Sequence, residues 1–287
     1  MAETTPQRDP LPEPAAYSVI TATEPATGLV FASPHSGRHY PDDMQSCLSV
    51  ASIRGVEDAA MDELIAPAAA HGAEVILARY GRAYVDLNRS AHDIDPELVA
   101  DCALEPTPKT VAGYGVLHRL SCDGRPLYDR LLSMAEVQNR LDAVYHPYHH
   151  ALGELMQSAR AQTSNALLVD WHSMPSRATG RGGPDIILGD RHGTSCDAFW
   201  TRTVRQLFEQ HGLFVGLNRP YAGGYATQYW GCPEEGYQAL QIEVNRNLYW
   251  DEDNHRPAAG WKRCQTIIRQ VSAALCATAT QRLADAG

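Results

Sequence analysis

The stretch NALLVDWH, residues 165–172, is an apolar run of strand length that closes on an imidazole. Such runs read as buried strands. The same pattern recurs outward along the chain in GLVFAS (28–33), EVILA (74–78), AYVDL (83–87), DIILG (185–189), LFVGL (213–217) and ALQIEV (239–244). Helical stretches fall between them. Asp58 to His71 carries apolar residues at helical spacing and stops before Gly72. Pro126 to about Gln162 reads as a long helical region broken near Pro147, because proline cannot donate to the helix ladder. Asp197 to Gln210 and Trp261 to Leu283 complete the set. Strands alternating with helices predict a three-layer α/β/α sandwich around a central mixed, largely parallel sheet.

The chain has 287 residues, 44% of them hydrophobic and 20% charged, enough apolar material for a large core. It reads as one domain over 17–287, preceded by a proline-rich, mobile lead-in over 1–16. A net charge of −10 argues against a sequence-independent nucleic-acid binder, which needs a basic face. No apolar window is long enough to span a membrane, and the first residues lack the apolar core of a signal peptide. The seven cysteines form no CxxC pair, so neither a disulfide framework nor a cysteine zinc site is expected, and a cytoplasmic location is. Two surface excursions are expected, Ser90 to Thr110 and the RATGRGGPD run over 177–185. Composition leaves the oligomeric state open.

In open α/β sheets, ligands bind beyond the carboxyl ends of the strands. The polar residues at those ends are His35 in SPHSG (33–37), Asn88-Arg89 after YVDL, His172 after LLVDW, and Glu243 within QIEVNR. Each has a plain structural reading. His35 can be a turn residue, Asn88-Arg89 can cap a strand end, and Glu243 can be ion-paired to Arg246. A buried carboxylate without a partner costs several kcal/mol, roughly, so Glu243 needs either an ion pair or a role. Together, two imidazoles, a carboxylate and a guanidinium beside an amide form the parts list of a mononuclear zinc hydrolase acting on an anionic substrate. The dense histidines of VYHPYHHAL, His146, His149 and His150, read as a helix-end cluster facing solvent, with His149 or Tyr148 lining the pocket.

These residues occur in segments that resemble the N-formylglutamate amidohydrolases (deformylases). The segments are SPHSGRHYP (33–41), DAAMDEL (58–64), YGRAYVDLNRS (80–90), VYHPYHHAL (144–152), VDWHSMP (169–175), ILGDRHGTSC (187–196), NRPYAGGY (218–225) and IEVNRNLYWDE (242–252), in the family's order. The resemblance implies a phosphorylase/hydrolase-like, zinc carboxypeptidase-like fold related to the aspartoacylases. It implies one Zn²⁺ per chain, with His35 and His172 as ligands. Many enzymes of that fold take an acidic ligand three residues after the first histidine, where this chain has Arg38. The third ligand implied is Asp58, with Glu57 as the alternative. Asp62, on the same helix face as Asp58, either supports the site or belongs to a solvated acidic face.

By the same resemblance, Glu243 is the general base and then the general acid, and Arg82 stabilises the oxyanion. Asn88 and Arg89 hold a substrate carboxylate, for which a guanidinium fork is suited. Arg219, beside a glycine-rich loop, is a second carboxylate clamp, with Tyr148 and His149 lining the pocket. The expected reaction is hydrolysis of N-formyl-L-glutamate to formate and L-glutamate, placing the chain in histidine degradation. Alternatives are another N-acyl amino acid hydrolase or a carboxypeptidase-type peptidase. More remote is a non-enzymatic carboxylate-binding protein on the same scaffold. A small-molecule substrate, no nucleic acid and no membrane are expected.

Overall fold

The structure is a computed structural model and describes residues 13–286. Most of the expected lead-in, residues 1–12, lies outside the described residues. Glu13 and Pro14 already touch the folded body, each accepting a hydrogen bond from the Tyr80 hydroxyl.

Six of the seven apolar runs, with the unexpected edge strand Tyr17–Ile20, form one seven-stranded sheet. Its strands are β1 (Tyr17–Ile20), β2 (Leu29–Ser33), β3 (Glu74–Ala78), β4 (Ala166–Met174), β5 (Ile186–Gly189), β6 (Val215–Leu217) and β7 (Tyr237–Asn245), in the order β1-β3-β2-β4-β7-β5-β6. Pairing is parallel at β2–β3, β2–β4, β4–β7 and β5–β6, and antiparallel at β1–β3 and β5–β7. The expected mixed, largely parallel sheet is therefore observed.

The two-residue side-chain period divides each strand between two cores. Val30 and Ala32 of β2 pack toward the helical region 134–163. Leu29 and Phe31 face the other way, with Trp171, Phe208 and Ile268, onto the helices Ala198–Glu209 and Trp261–Ala286. Helices thus cover both faces, completing three layers. Each large apolar side chain fully buried here contributes about 1.5–3 kcal/mol. Among the described residues no helix is long and apolar enough to cross a membrane.

Three expected elements take a different form. AYVDL is not a strand. The amides of Tyr84 and Val85 donate back to the Gly81 carbonyl (2.9 and 3.4 Å), and Asp86 N donates to Val116 O at 2.7 Å. The run is apolar because it is buried as a turn under the site. Pro147 does not break its helix. A π-helical turn over Leu141–Tyr145 joins Met134–Arg140 to His146–Thr163, and this widened turn accommodates a residue with no N–H. The helix expected from Asp58 is α-helical only over Met61–Ile65, then 3-10 over Ala66–His71, where Pro67 also lacks a donor. It ends as expected at Gly72, whose φ of 97° favours glycine.

Connections leave β2 toward β3 on one side, while β4 adjoins it on the other. The connections that leave the carboxyl ends of β2 and β4 therefore run to opposite sides, which makes this the switch point of the sheet, the place where ligand crevices form.

Candidate active site

The glycine of SPHSG sets the path of the chain just past β2. A Cβ at Gly37 would lie 2.1 Å from the Tyr80 carbonyl oxygen, so only glycine lets the two segments cross. The crossing aims His35 inward, where its ring lies 4.7 Å from that of His172 at the end of β4. Asp58 arrives from the irregular segment before Met61, its amide donating to His35 O at 2.9 Å. One ligand atom from each of His35, Asp58 and His172 lies within 4.8 Å of the others, and all three residues are buried. Glu57 is not of this group. Its carboxylate pairs with Arg54 Nε at 3.1 Å.

The ring nitrogens test whether the trio suits a cation. His35 Nε2 donates to Asp86 Oδ1 at 2.6 Å, and His172 Nε2 donates to Asp170 Oδ2 at 2.9 Å. Both Nδ1 atoms then face Asp58 Oδ2, at 3.4 Å from His35 and 2.8 Å from His172. His35 Nδ1 is buried without a hydrogen-bond partner. Imidazoles anchored through one nitrogen by a carboxylate, with the other turned to a shared point, are the form in which histidine ligates metals. Two imidazoles and a carboxylate suit Zn²⁺.

Without a cation His172 bridges two carboxylates. Burial opposes the charged ring, but Asp170 and Asp58 outweigh it and hold its pKa well above the usual value. A cation must displace that proton, so affinity falls as pH falls. Zinc affinity, read by chelator competition, is expected to drop by at least about tenfold between pH 7.5 and pH 5. Unchanged affinity would count against two histidine ligands.

Glu243 stands opposite His172 in the β4–β7 register. Burial, reinforced by the Asp58 and Asp170 carboxylates and opposed by His172 and Arg82, raises its pKa to about 7. Gln241 Nε2 donates to Glu243 Oε1 at 2.8 Å, and Gln241 Oε1 accepts from Gly224 N at 2.7 Å. Arg246 is not its partner and turns instead toward Asp58.

These groups open onto a cavity of about 960 Å³, lined also by Arg82, Asn88, Arg89 and Tyr221. Arg82 Nη2 donates to Asp86 Oδ2 at 2.8 Å. Arg89 donates only to the carbonyls of Tyr114 and Asn88, and no ion pair occupies it among the described residues. Asn88 is committed within the protein. Its Oδ1 accepts from Ala226 N at 2.8 Å, and its Nδ2 donates to Asp170 Oδ2 at 3.1 Å. A Cβ at Gly224 would meet that side chain at 2.5 Å, which explains the glycine there.

Arg219, Tyr148 and His149 are not among the residues lining the cavity. Arg219 is exposed, although its neighbours Pro220 and Tyr221 do reach the wall. Tyr148, on the helix His146–Thr163, is buried in the core between that helix and the sheet. His149 Nε2 donates to Leu87 O at 3.0 Å, and burial pushes its pKa down to about 4. His146 and His150 are exposed, as a solvent-facing cluster requires. Asp62 is half-buried and pairs with Arg38 at 2.6 Å, away from the ligand group.

The residues that sequence reading passed over are Asp86, Asp170 and Gln241, and Arg246 was read there only as a partner for Glu243. Asp86 and Asp170 carried a usable signal. Each is an aspartate inside an apolar run, and the cost of burying a bare carboxylate applies to them as it does to Glu243.

Comparison with known proteins gives the family. The profile of the N-formylglutamate amidohydrolase family matches residues 27–250. The chain belongs to that family. It is 35% identical over 188 residues to an N-formylglutamate deformylase of Pseudomonas aeruginosa PAO1, covering 63% of this chain and 66% of the relative. A second N-formylglutamate deformylase, from Pseudomonas putida, is 29% identical over 266 residues, covering 88% of this chain and 94% of the relative. The crystal structure of an N-formylglutamate amidohydrolase from Ralstonia eutropha JMP134 superposes with a TM-score of 0.88 at 31% identity, covering 93% of this chain and 99% of that one. A gene product of Agrobacterium tumefaciens, 18% identical with a TM-score of 0.65, shares the fold.

Proposed function

We propose that the chain hydrolyses N-formyl-L-glutamate to formate and L-glutamate, with one zinc ion held by His35, Asp58 and His172. The observation that carries this reading is the meeting of three buried ligand atoms on one point, beside a carboxylate whose pKa lies near 7. Family membership and the two deformylase relatives support the substrate. Bound there, zinc would supply a Lewis acid for the formyl carbonyl and lower the pKa of water.

The side chains supply the rest. Glu243 accepts a proton from the attacking water as its oxygen bonds to the formyl carbon. It then delivers that proton to the glutamate nitrogen as the C–N bond breaks. General acid–base assistance of this kind is worth about 10²–10⁴ in rate. Gln241 occupies one Glu243 oxygen and leaves the other for this exchange. Arg82, held against Asp86, stabilises the negative charge that develops on the carbonyl oxygen. Arg89, which pairs with no carboxylate among the described residues, binds a substrate carboxylate. Asn88 acts one layer back, donating to the Asp170 that holds His172.

An amine-release assay comparing N-formyl-L-glutamate, N-acetyl-L-aspartate and short peptides tests the proposal, because hydrolysis of each amide frees a primary amine. The highest kcat/KM is expected with N-formyl-L-glutamate, lost on chelation and restored by zinc. Turnover confined to peptides, or none with any N-acyl amino acid, would overturn it.

A further inference from the structure

His35 and His172 are delivered by strand ends, but Asp58 is not. It follows a single 3-10 turn, Arg54–Val56, and Ala60 just beyond it has a φ of 53°, in the left-handed region. No strand or long helix fixes the carboxylate. Families that take their acidic ligand three residues after the first histidine inherit its position from that histidine. This chain has Arg38 there, paired at the surface.

Arg246, in the 3-10 turn directly after β7, is buried and sends its guanidinium into this segment. Nη1 donates to Gly55 O at 3.3 Å and Nη2 to Glu57 O at 2.5 Å. Nη2 also lies 3.4 Å from Asp58 Oδ1, and Nε donates to Ser173 Oγ at 3.0 Å. Ser173 adjoins His172, and its hydroxyl is 3.4 Å from the same Asp58 oxygen. The two oxygens of Asp58 are thereby divided. Oδ1 faces Arg246 and Ser173, while Oδ2 faces the histidine nitrogens.

We propose that Arg246 is a positioning residue that fixes Asp58 as the third metal ligand, tying its segment to the strand that carries His172. The inference rests on the metal reading of the site given above. Only a planar fork with several fixed donors reaches the carbonyls of Gly55, Glu57 and Ser173, a hydroxyl and a carboxylate at once, so lysine is a poor replacement. The sign of the effect separates positioning from plain charge. A guanidinium beside a cation site repels the cation, so as a charge alone its loss would strengthen zinc binding. As a positioner, its loss weakens zinc binding, by the roughly 10–100-fold typical of groups that orient metal ligands.

The test is the zinc dissociation constant, by competition with a chromophoric chelator, for the full chain and for R246A, R246K, D58A and the D58A/R246A double variant. R246A is expected to bind about 10–100-fold more weakly, and R246K to recover only part of the loss. In the D58A background, removing Arg246 should cost no further affinity. Parent-like or tighter binding by R246A, or an equal loss with and without Asp58, would overturn the proposal. If R246A fails to fold, R246K decides, because it keeps the charge and loses the fork, and parent-like affinity in it is also contradictory. A parent that binds no zinc overturns the metal reading and this inference together. A parent that binds zinc, with indifferent Arg246 variants, overturns this inference alone.

Discussion

Glu243→Gln is expected to lower kcat about 1,000-fold while zinc stays bound in full. The substitution keeps the shape of the side chain and the contact with Gln241, and removes only the ability to take and return a proton. Its effect should therefore fall on turnover rather than on KM or metal content. The pH profile supplies a second readout. Glu243 must be ionised to act as base, so activity rises with pH through its pKa. Burial raises that pKa to about 7 without a cation, and a nearby positive charge pulls it down. The rising limb in the parent should lie at or below pH 7 and be absent from the residual activity of the variant. A Gln variant with more than a tenth of the parent kcat would remove Glu243 from the chemistry.

Asp86→Ala is expected to cost about 3–5 kcal/mol of stability, read by urea denaturation, and to weaken zinc binding as well. Asp86 is fully buried, and its two oxygens serve four donors. His35 Nε2 and Asn88 N share Oδ1 at 2.6 and 2.9 Å, and His118 Nε2 and Arg82 Nη2 share Oδ2 at 2.9 and 2.8 Å. Burial alone would raise its pKa, but Arg82, His35 and Arg89 reverse this and hold the carboxyl well below its usual range. The residue is an anion that offsets the charge of Arg82 and fixes the tautomer of His35. Removing it strands every donor at once, the costly way to break a buried network. Asp86→Asn keeps the volume and one acceptor, so it should lose less stability than the alanine variant. A stability loss below about 1 kcal/mol for Asp86→Ala would show that the network is not the support described.

The strands were legible because burial on both faces leaves uninterrupted apolar runs, and β2, β3, β4, β5 and β7 lie where those runs stand. AYVDL shows the limit of that signal. Apolarity reports burial, and a buried turn looks like a buried strand. The residues at strand ends, His35, His172 and Glu243, were legible for the same reason, since a strand end in the middle of a sheet has one place to point. Asp58 was not. Its segment is irregular, and its position depends on Arg246 arriving from far along the chain, so only family resemblance indicated it. Arg219 shows the converse. A guanidinium near glycines suggests a clamp, but the chain leaves that residue exposed beside the cavity. Asn88 lies next to an arginine that lines the cavity, yet its own amide is spent on Ala226 and Asp170.

Anomalous diffraction from crystals of the zinc-loaded protein, recorded on both sides of the zinc absorption edge, tests the central claim most directly. A single strong peak touching His35, Asp58 and His172 is the expected result. A zinc-loaded crystal with no peak among those three side chains, or with the peak held by other residues, would contradict it.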